Sequence, residues 1–358
     1  MIHPNDVKLA RILADYSVAV KKGDKVLISA NEAAKPLAQA VYQRCLLVGA
    51  FPHLIFSPGD LDYFFFKNAS QAQLNKKPEI GLFLAQWADK FIRLFSANNN
   101  SELKSIDPKR LMQAAKAQEP VKKIMLKKPW VLTEYPSLSM AQTAGLSLSQ
   151  LEELYFKACL QDWPAVGRKL TNLKRRLDNA KKIEVIGPQT HLTLSFTNRY
   201  FAICDGKFNL PDGEIFSAPV ESKVDGEVYF DLPSLRSGNV VEKVRLTFRA
   251  GRVVKATAAK GERYLKAALA SDAGAKRLGE FAIGANYGIK RPMLNTLFDE
   301  KIGGTIHMAL GSSYPDLKDG GGKNQSSLHW DLVKTMTAKE SKVLVNGRPV
   351  LAAGKLLV

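Results

Sequence analysis

Near Ile183 the apolar pattern of this 358-residue chain changes period. Before it, apolar side chains recur at helical spacing in segments separated by short buried runs. After it, short β-rich runs follow one another with turn residues between them. A 3.6-residue period buries one stripe of a helix and a two-residue period buries one face of a strand, so the two halves belong to different architectures. In the first half, residues 5–19 read as a capped amphipathic helix, 25–29 (KVLIS) as a buried strand, 36–48 as a helix and 51–56 as a strand. Residues 60–75 and 111–118 look helical, and 129–133 (PWVLT) reads as another short strand. Alternating helix and strand predict an α/β layer with a mainly parallel sheet. No G-x-G-x-x-G or P-loop follows any strand, and the lone Gly59 and Gly81 read as turn or packing residues, so no dinucleotide site is expected here.

In the second half, strands are expected at 182–186, 192–196, 214–220, 227–230, 240–249 and 253–258. The Asp225-Gly226 pair predicts a tight hairpin turn, and Ala250-Gly251 predicts a second. The expected organisation is therefore an N-terminal α/β domain, 1–183, and a C-terminal domain rich in antiparallel sheet, 184–358. Just before the boundary, Leu170, Leu173 and Leu177 recur at helical spacing within RKLTNLKRRLDNAKK, giving an amphipathic helix whose basic outer face is expected to be solvated.

Composition excludes several classes. With 46% hydrophobic and 24% charged residues the chain can bury a sizeable core, and no apolar run reaches the roughly 18 residues of a membrane-spanning helix. The start MIHPNDVKLARIL lacks a basic n-region and apolar h-region, so export is not expected. Cys45, Cys159 and Cys204 are far apart, without a C-x-x-C, which points away from disulfides or a thiolate zinc site and towards a reducing cytoplasm. The net charge of +18 raises the question of nucleic acid, but no aromatic interleaving or nucleic-acid motif accompanies the basic runs.

Chemistry concentrates in the second half. His329 and Asp331 are two apart, so on a strand both face one way while Leu328, Trp330 and Leu332 face the other. In 305–310 the same alternation sets His307 opposite Ile306, Met308 and Leu310. An imidazole backed by an apolar face suits a metal ligand, although a satisfied structural histidine is the commoner case for either taken alone. Glu214 opens a strand after a Pro-Asp-Gly turn, and Glu280 lies among small and apolar residues where a lone carboxylate is costly unless paired or metal-bound. Three carboxylates and two imidazoles form a hard-to-borderline set suited to a pair of divalent cations, Zn²⁺, Co²⁺ or Mn²⁺, and on spacing alone structural carboxylates paired with the abundant lysines and arginines are the alternative.

Four ordered blocks, LPDGEIFSAPVESKVDGEVYFD, RLGEFAIGANYGI, LFDEKIGGTIHMALGSSYPD and SSLHWDLV, resemble the aminopeptidase T family of metallo-aminopeptidases, which includes aminopeptidases S and II. The N-terminal half resembles it more loosely. This likeness implies a two-domain protein, a homodimer, with a dinuclear metal centre in the C-terminal domain that removes N-terminal residues from peptides. It implies ligand roles for Glu214, Glu280, His307, His329 and Asp331, and a place near the reacting carbonyl for Tyr314. Glu300 also matches a recurrent acidic position, but lies between a helix end and a glycine turn, where a solvated residue is an alternative. Residues 315–325, with Gly320, Gly321 and Gly322, form a short loop read as a tight or mobile connection at the substrate entrance.

The expected mechanism uses a bridging water activated by two cations, Tyr314 or a metal at the oxyanion, and Glu280 as proton shuttle or bridge. Three other readings are weaker. A glycosidase pair, Glu214 with Glu280, leaves the histidines without a job; a serine hydrolase lacks its G-x-S-x-G elbow; and a non-catalytic scaffold binding RNA or an acidic partner through its basic surface has no use for an intact ligand set.

Overall fold

The computed structural model describes residues 2–58, 61–96 and 98–357. They form two compact units, Met1–Leu160 with Gly206–Pro211, and Gln161–Asp205 with Asp212–Val358.

In the first unit β1 (Lys25–Asn31), β2 (Phe51–Ser57), β3 (Lys90–Phe95), β4 (Trp130–Glu134) and the short β8 (Asn209–Leu210) make a five-stranded sheet in the order β2-β1-β3-β4-β8, parallel throughout. Parallel neighbours need crossovers, and helices supply them. The helix Lys35–Val48 has a proline in its first turn and ends on Gly49 at φ 84°, a left-handed cap that a side chain would strain. It packs on β1 and β2 and against the helix Pro4–Arg11, with Leu9, Val26, Ile28, Leu37 and Val41 fully buried. That first helix keeps its α-form only to Arg11, and Ile12–Ser17 widens into π-helix. Residues expected as one helix over 60–75 form two, Leu61–Asn68 and Gln71–Leu74, because Ser70 starts the second with a reciprocal capping box to Gln73. Gly59 and Asp60 lie outside the described residues. The helix Pro108–Met125 runs straight through Pro120, on an exposed stretch where water can satisfy the carbonyl that proline frees.

The second unit is antiparallel. Its larger sheet has the order β14-β13-β10-β6-β5-β18-β19-β20, from β5 (Lys182–Gly187), β6 (Thr190–Ser195), β10 (Val224–Phe230), β13 (Val244–Arg249), β14 (Arg252–Thr257), β18 (Lys342–Val345), β19 (Arg348–Ala352) and β20 (Lys355–Leu356). The smaller runs β17-β16-β15-β9-β7, from β7 (Ala202–Cys204), β9 (Glu214–Ser217), β15 (Leu278–Gly284), β16 (Thr305–Gly311) and β17 (His329–Thr335). A ribbon of β11 (Ser234–Arg236) and β12 (Asn239–Val241) stands apart. One buried cluster joins Leu192 and Phe248 of the larger sheet, Phe281, Met308 and Leu332 of the smaller, and Leu170, Leu173 and Leu177 of the helix Trp163–Leu177. Arg168, Lys169 and Arg175 face solvent on the other side of that helix, as its periodicity predicts.

Two local expectations need correcting. Asp225-Gly226 is not a turn: both residues lie inside β10, with Gly226 paired to Leu192 of β6 and to Phe248 of β13. The strand expected over 240–249 is broken between β12 and β13, where Lys243 takes φ 55°. Ala250-Gly251 does make the β13–β14 turn, both residues at positive φ. The three cysteines are buried and free, and no described helix is long and apolar enough to cross a membrane.

Candidate metal centre

The smaller sheet carries the chemistry because its register places the polar residues of four adjacent strands on one face. Glu214 pairs with Gly284, Ala282 with His307, Ala309 with both Glu280 and Asp331, and Gly311 with His329. Paired residues share a face, so Glu214, Glu280, His307, His329 and Asp331 all project the same way. Ile215, Phe281, Ile283, Met308, Trp330 and Leu332 project the other way, into the core. Several partners across the strands on the polar face are small, Ala282, Gly284, Ala309 and Gly311, which leaves room between the functional groups, while Val333 lies opposite His307 and Cys204 opposite Glu214.

His307 Nε2 lies 3.1 Å from Glu280 Oε1 and 3.4 Å from Glu214 Oε2, with all three residues buried. Ligand atoms of Glu214, Glu280 and His307 fall within 4.8 Å of one another, as do those of Glu300, His307 and Asp331, so the two groups share His307. His329 Nε2 stands 3.6 Å from Asp331 Oδ1, while its Nδ1 is 2.8 Å from the Ser312 carbonyl. A proton on Nδ1 donated to that carbonyl leaves Nε2 with a lone pair facing the cluster, the usual arrangement behind a ligating histidine. Tyr314 is exposed, its ring centroid 5.4 Å from that of Phe216 and 6.0 Å from that of His329. Cys204, Asp212 and Glu214 form a further close group, but burial pushes the Cys204 thiol well above its usual range and keeps it neutral.

Sequence reasoning missed Lys301. Its side chain is 1% exposed, and its ammonium donates to Glu214 Oε1 at 2.6 Å and Glu300 Oε1 at 2.5 Å, with Asp212 Oδ1 at 3.9 Å. Burial lowers its pKa, but these carboxylates outweigh that and hold it well above the usual lysine value. Glu300 is correspondingly not a solvated residue: its side chain is largely enclosed, and burial with the neighbouring carboxylates pushes it up to about 8 against the pull of Lys301. The available signal was a lysine between two glycine-flanked blocks, next to a candidate carboxylate. The Gly320–Gly322 segment is tight: Ala218 N–H donates to Gly320 O at 2.8 Å, and a Cβ on Gly322 would meet Ala218 Cβ at 2.6 Å.

Burial pulls the His307 imidazole down, but its bond to Glu280 and the charges of Glu214 and Glu280 bring it to about 9. His329 is raised in the same contest, chiefly by Asp331. Although more than half of Tyr314 is exposed, desolvation of the part facing the site and the surrounding carboxylates push its phenol up, so it stays a hydrogen-bond donor. Glu214 Oε2, His307 Nδ1 and Asp331 Oδ1 are buried without a hydrogen bond. The unbonded carboxylate oxygens of Glu214 and Asp331 beside His307, whose imidazole gives up its extra proton when it ligates, form a donor set that a divalent cation satisfies.

This site chemistry fits a metal-dependent enzyme, and the family match places the chain among metal-dependent hydrolases. The family model for thermophilic metalloproteases (M29) matches residues 4–354, and the chain belongs to that family. It is 26% identical to aminopeptidase 2 of Geobacillus stearothermophilus, over 91% of this chain and 90% of that one. Against aminopeptidase T of Thermus thermophilus it is 27% identical, over 90% of each. The solved structure of wild-type AmpT from Thermus thermophilus superposes with a TM-score of 0.81 at 25% identity, covering 99% of both chains. A 2,5-dihydroxypyridine dioxygenase from Pseudomonas putida KT2440 shares the fold, with a TM-score of 0.64 at 10% identity over 99% of this chain and 98% of that one.

Proposed function

We propose that the protein is a metal-dependent aminopeptidase that hydrolyses the N-terminal residue from peptides, with its cations held by Glu214, Glu280, His307, His329 and Asp331. Membership of the metalloprotease family and likeness to aminopeptidases over nearly the whole chain support the activity. The observation that carries the site is the convergence of Glu214, Glu280 and His307, buried, with an acceptor of Glu214 left unbonded. Divalent cations held by these residues, up to two of Zn²⁺, Co²⁺ or Mn²⁺, would supply Lewis acidity to the scissile carbonyl and to the attacking water.

The chain's own residues supply the rest. Glu280 takes the proton from the attacking water and delivers it to the leaving amine, a role suited to a carboxylate already shared with an imidazole. Tyr314, kept protonated, donates to the developing oxyanion from the open side of the site. Lys301 balances the carboxylates around Glu214 and Glu300 and fixes Glu214 by one oxygen, leaving the other to a cation. His329, anchored through Ser312, keeps its ring aimed at Asp331.

The test is hydrolysis of free-amine and N-acetylated peptides by protein stripped with a chelator and then titrated with Zn²⁺, Co²⁺ or Mn²⁺. Recovery by up to two equivalents of metal, on free N-termini alone, supports the reading. A folded protein inactive with every metal rejects it, and equal cleavage of acetylated peptides rejects the exopeptidase assignment.

A further inference from the structure

The first unit's sheet is sealed on one face and open on the other. On β1, Val26, Ile28 and Ala30 are buried, whereas Leu27, Ser29 and Asn31 are only partly covered. Against the partly covered face lies a cavity of about 460 Å³. Leu27, Ile55 and Phe91 line it from the strands, and Leu84, Val121 and Met125 line it from the helices Glu79–Trp87 and Pro108–Met125. Those helices approach closely at Gly81, where a Cβ would sit 3.3 Å from Val121 Cγ2. Such a volume with mostly apolar walls is in the range of small-molecule sites.

One cation is set into this apolar surface. Arg93 of β3 lines the cavity, beside Ser29 in the register, and Ser29 in turn neighbours Ile55. Among the described residues its guanidinium has no hydrogen-bond or ion-pair partner; the residue is exposed on the open side of the cavity, and the protein on its other side lowers its pKa through partial desolvation. The second charged lining residue is Lys122, and among the described residues no aspartate or glutamate lines the cavity. A guanidinium remains charged under all ordinary conditions, so an unpaired one at the open side of an apolar cavity offers an anion a fixed planar partner.

We propose that this cavity binds a small amphipathic monoanion, an apolar chain ending in a carboxylate, which Arg93 takes through its paired N–H donors while the tail lies along Leu27, Phe91, Val121 and Met125. A planar guanidinium matches a carboxylate fork. With Arg93 and Lys122 as the charged lining and no described acid there, the cavity favours a monoanion over a zwitterionic amino acid, whose ammonium would find no counter-charge. The site is therefore not a second seat for the products of peptide hydrolysis, and it stands whether or not the proposed activity does.

The test is calorimetric titration of the full-length protein with dodecanoate, dodecanol, dodecyl phosphate and leucine. Saturable 1:1 binding of dodecanoate is expected, with dodecanol and leucine weaker by at least about tenfold and dodecyl phosphate no tighter. Arg93→Met should lose at least about tenfold in dodecanoate affinity, Arg93→Lys should keep part of it, and Ala115→Trp, which fills the cavity from an exposed helix position, should abolish binding. Circular dichroism and peptidase turnover, neither of which depends on Arg93, control for folding. No saturable dodecanoate binding by folded wild-type protein overturns the proposal. So does equal binding by Arg93→Met, or equal affinity for dodecanol, since either would reduce the site to non-specific apolar contact. Tighter binding of dodecyl phosphate overturns the carboxylate assignment.

Discussion

At Lys301 an ammonium with 1% exposure is held by two carboxylates within hydrogen-bond distance. Replacing one member of such a buried network leaves the others charged and unpaired. Lys301→Met should therefore cost about 3 kcal/mol or more in the chelated protein. Added divalent metal should recover part of that loss, because a cation takes over the stranded carboxylates; urea denaturation with and without metal measures both, and an unchanged midpoint in chelator would reject the role. Glu280 calls for a different readout. Glu280→Gln keeps the shape and an acceptor for His307, 3.1 Å away, but can no longer carry a proton. Its kcat should fall at least about 10²-fold with the fold intact, and near-normal turnover in a folded variant would remove Glu280 from the mechanism. The closeness of His329 to Asp331 and the exposure of His307 to a polar face were legible in sequence, because alternation along a strand is a local rule. Lys301 was not, since its partners Asp212 and Glu214 reach it only through the packing of β9 beside the turn before β16.

At the scale of elements, the two glycine signals in the larger sheet came apart. Ala250-Gly251 makes the turn its dipeptide suggests, with φ 47° and 75°. Asp225-Gly226 lies mid-strand, where Gly226 holds φ 118° and an added Cβ would stand 2.2 Å from His191 O. A close backbone crossing and a turn ask the same thing of a residue, no Cβ, so sequence alone gives them one signature. Gly226→Ala should destabilise by about 2 kcal/mol or more through strain and collision together, read as a lower urea midpoint. Asp272 organises another element. Its carboxylate accepts from the N–H groups of Gly274, Ala275 and Ser327 and from the hydroxyls of Ser326 and Ser327, tying the approach to β15 to the segment that enters β17 at His329. The Ser327 N–H leads these bonds in holding the carboxyl far below its usual range. A depressed folded pKa means the contribution is complete above the unfolded value, near 3.9, and is lost as pH falls through the lower folded one. Asp272→Ala should thus lower the midpoint at pH 7, and its difference from wild type should shrink as pH is taken below about 4. A gap that stays constant over that range would mean the loss is packing and not charge.

At the scale of the whole molecule, a chain with net charge +18 gathers five carboxylates, those of Asp212, Glu214, Glu280, Glu300 and Asp331, around one ammonium and two imidazoles. Cation binding is decided by that local field and by desolvation, both stronger at this range than the diffuse positive surface, which salt screens within about 8–10 Å. The candidate ligands all sit in one unit and on one sheet, so the free energy of metal binding should appear there. At a metal concentration one hundred times Kd the gain is about 2.7 kcal/mol. Hydrogen exchange followed by mass spectrometry, with and without metal, should show slower exchange in β9, β15, β16 and β17, where the ligands are bonded side by side. The parallel strands β1 to β4 have their own buried residues and none of these ligands, so their exchange should be unchanged. Protection confined to β1–β4, or spread equally over both sheets, would place the metal elsewhere or make its effect global. A shift centred on β15 and β16 would tie the bound cation to the strands that carry Glu280 and His307.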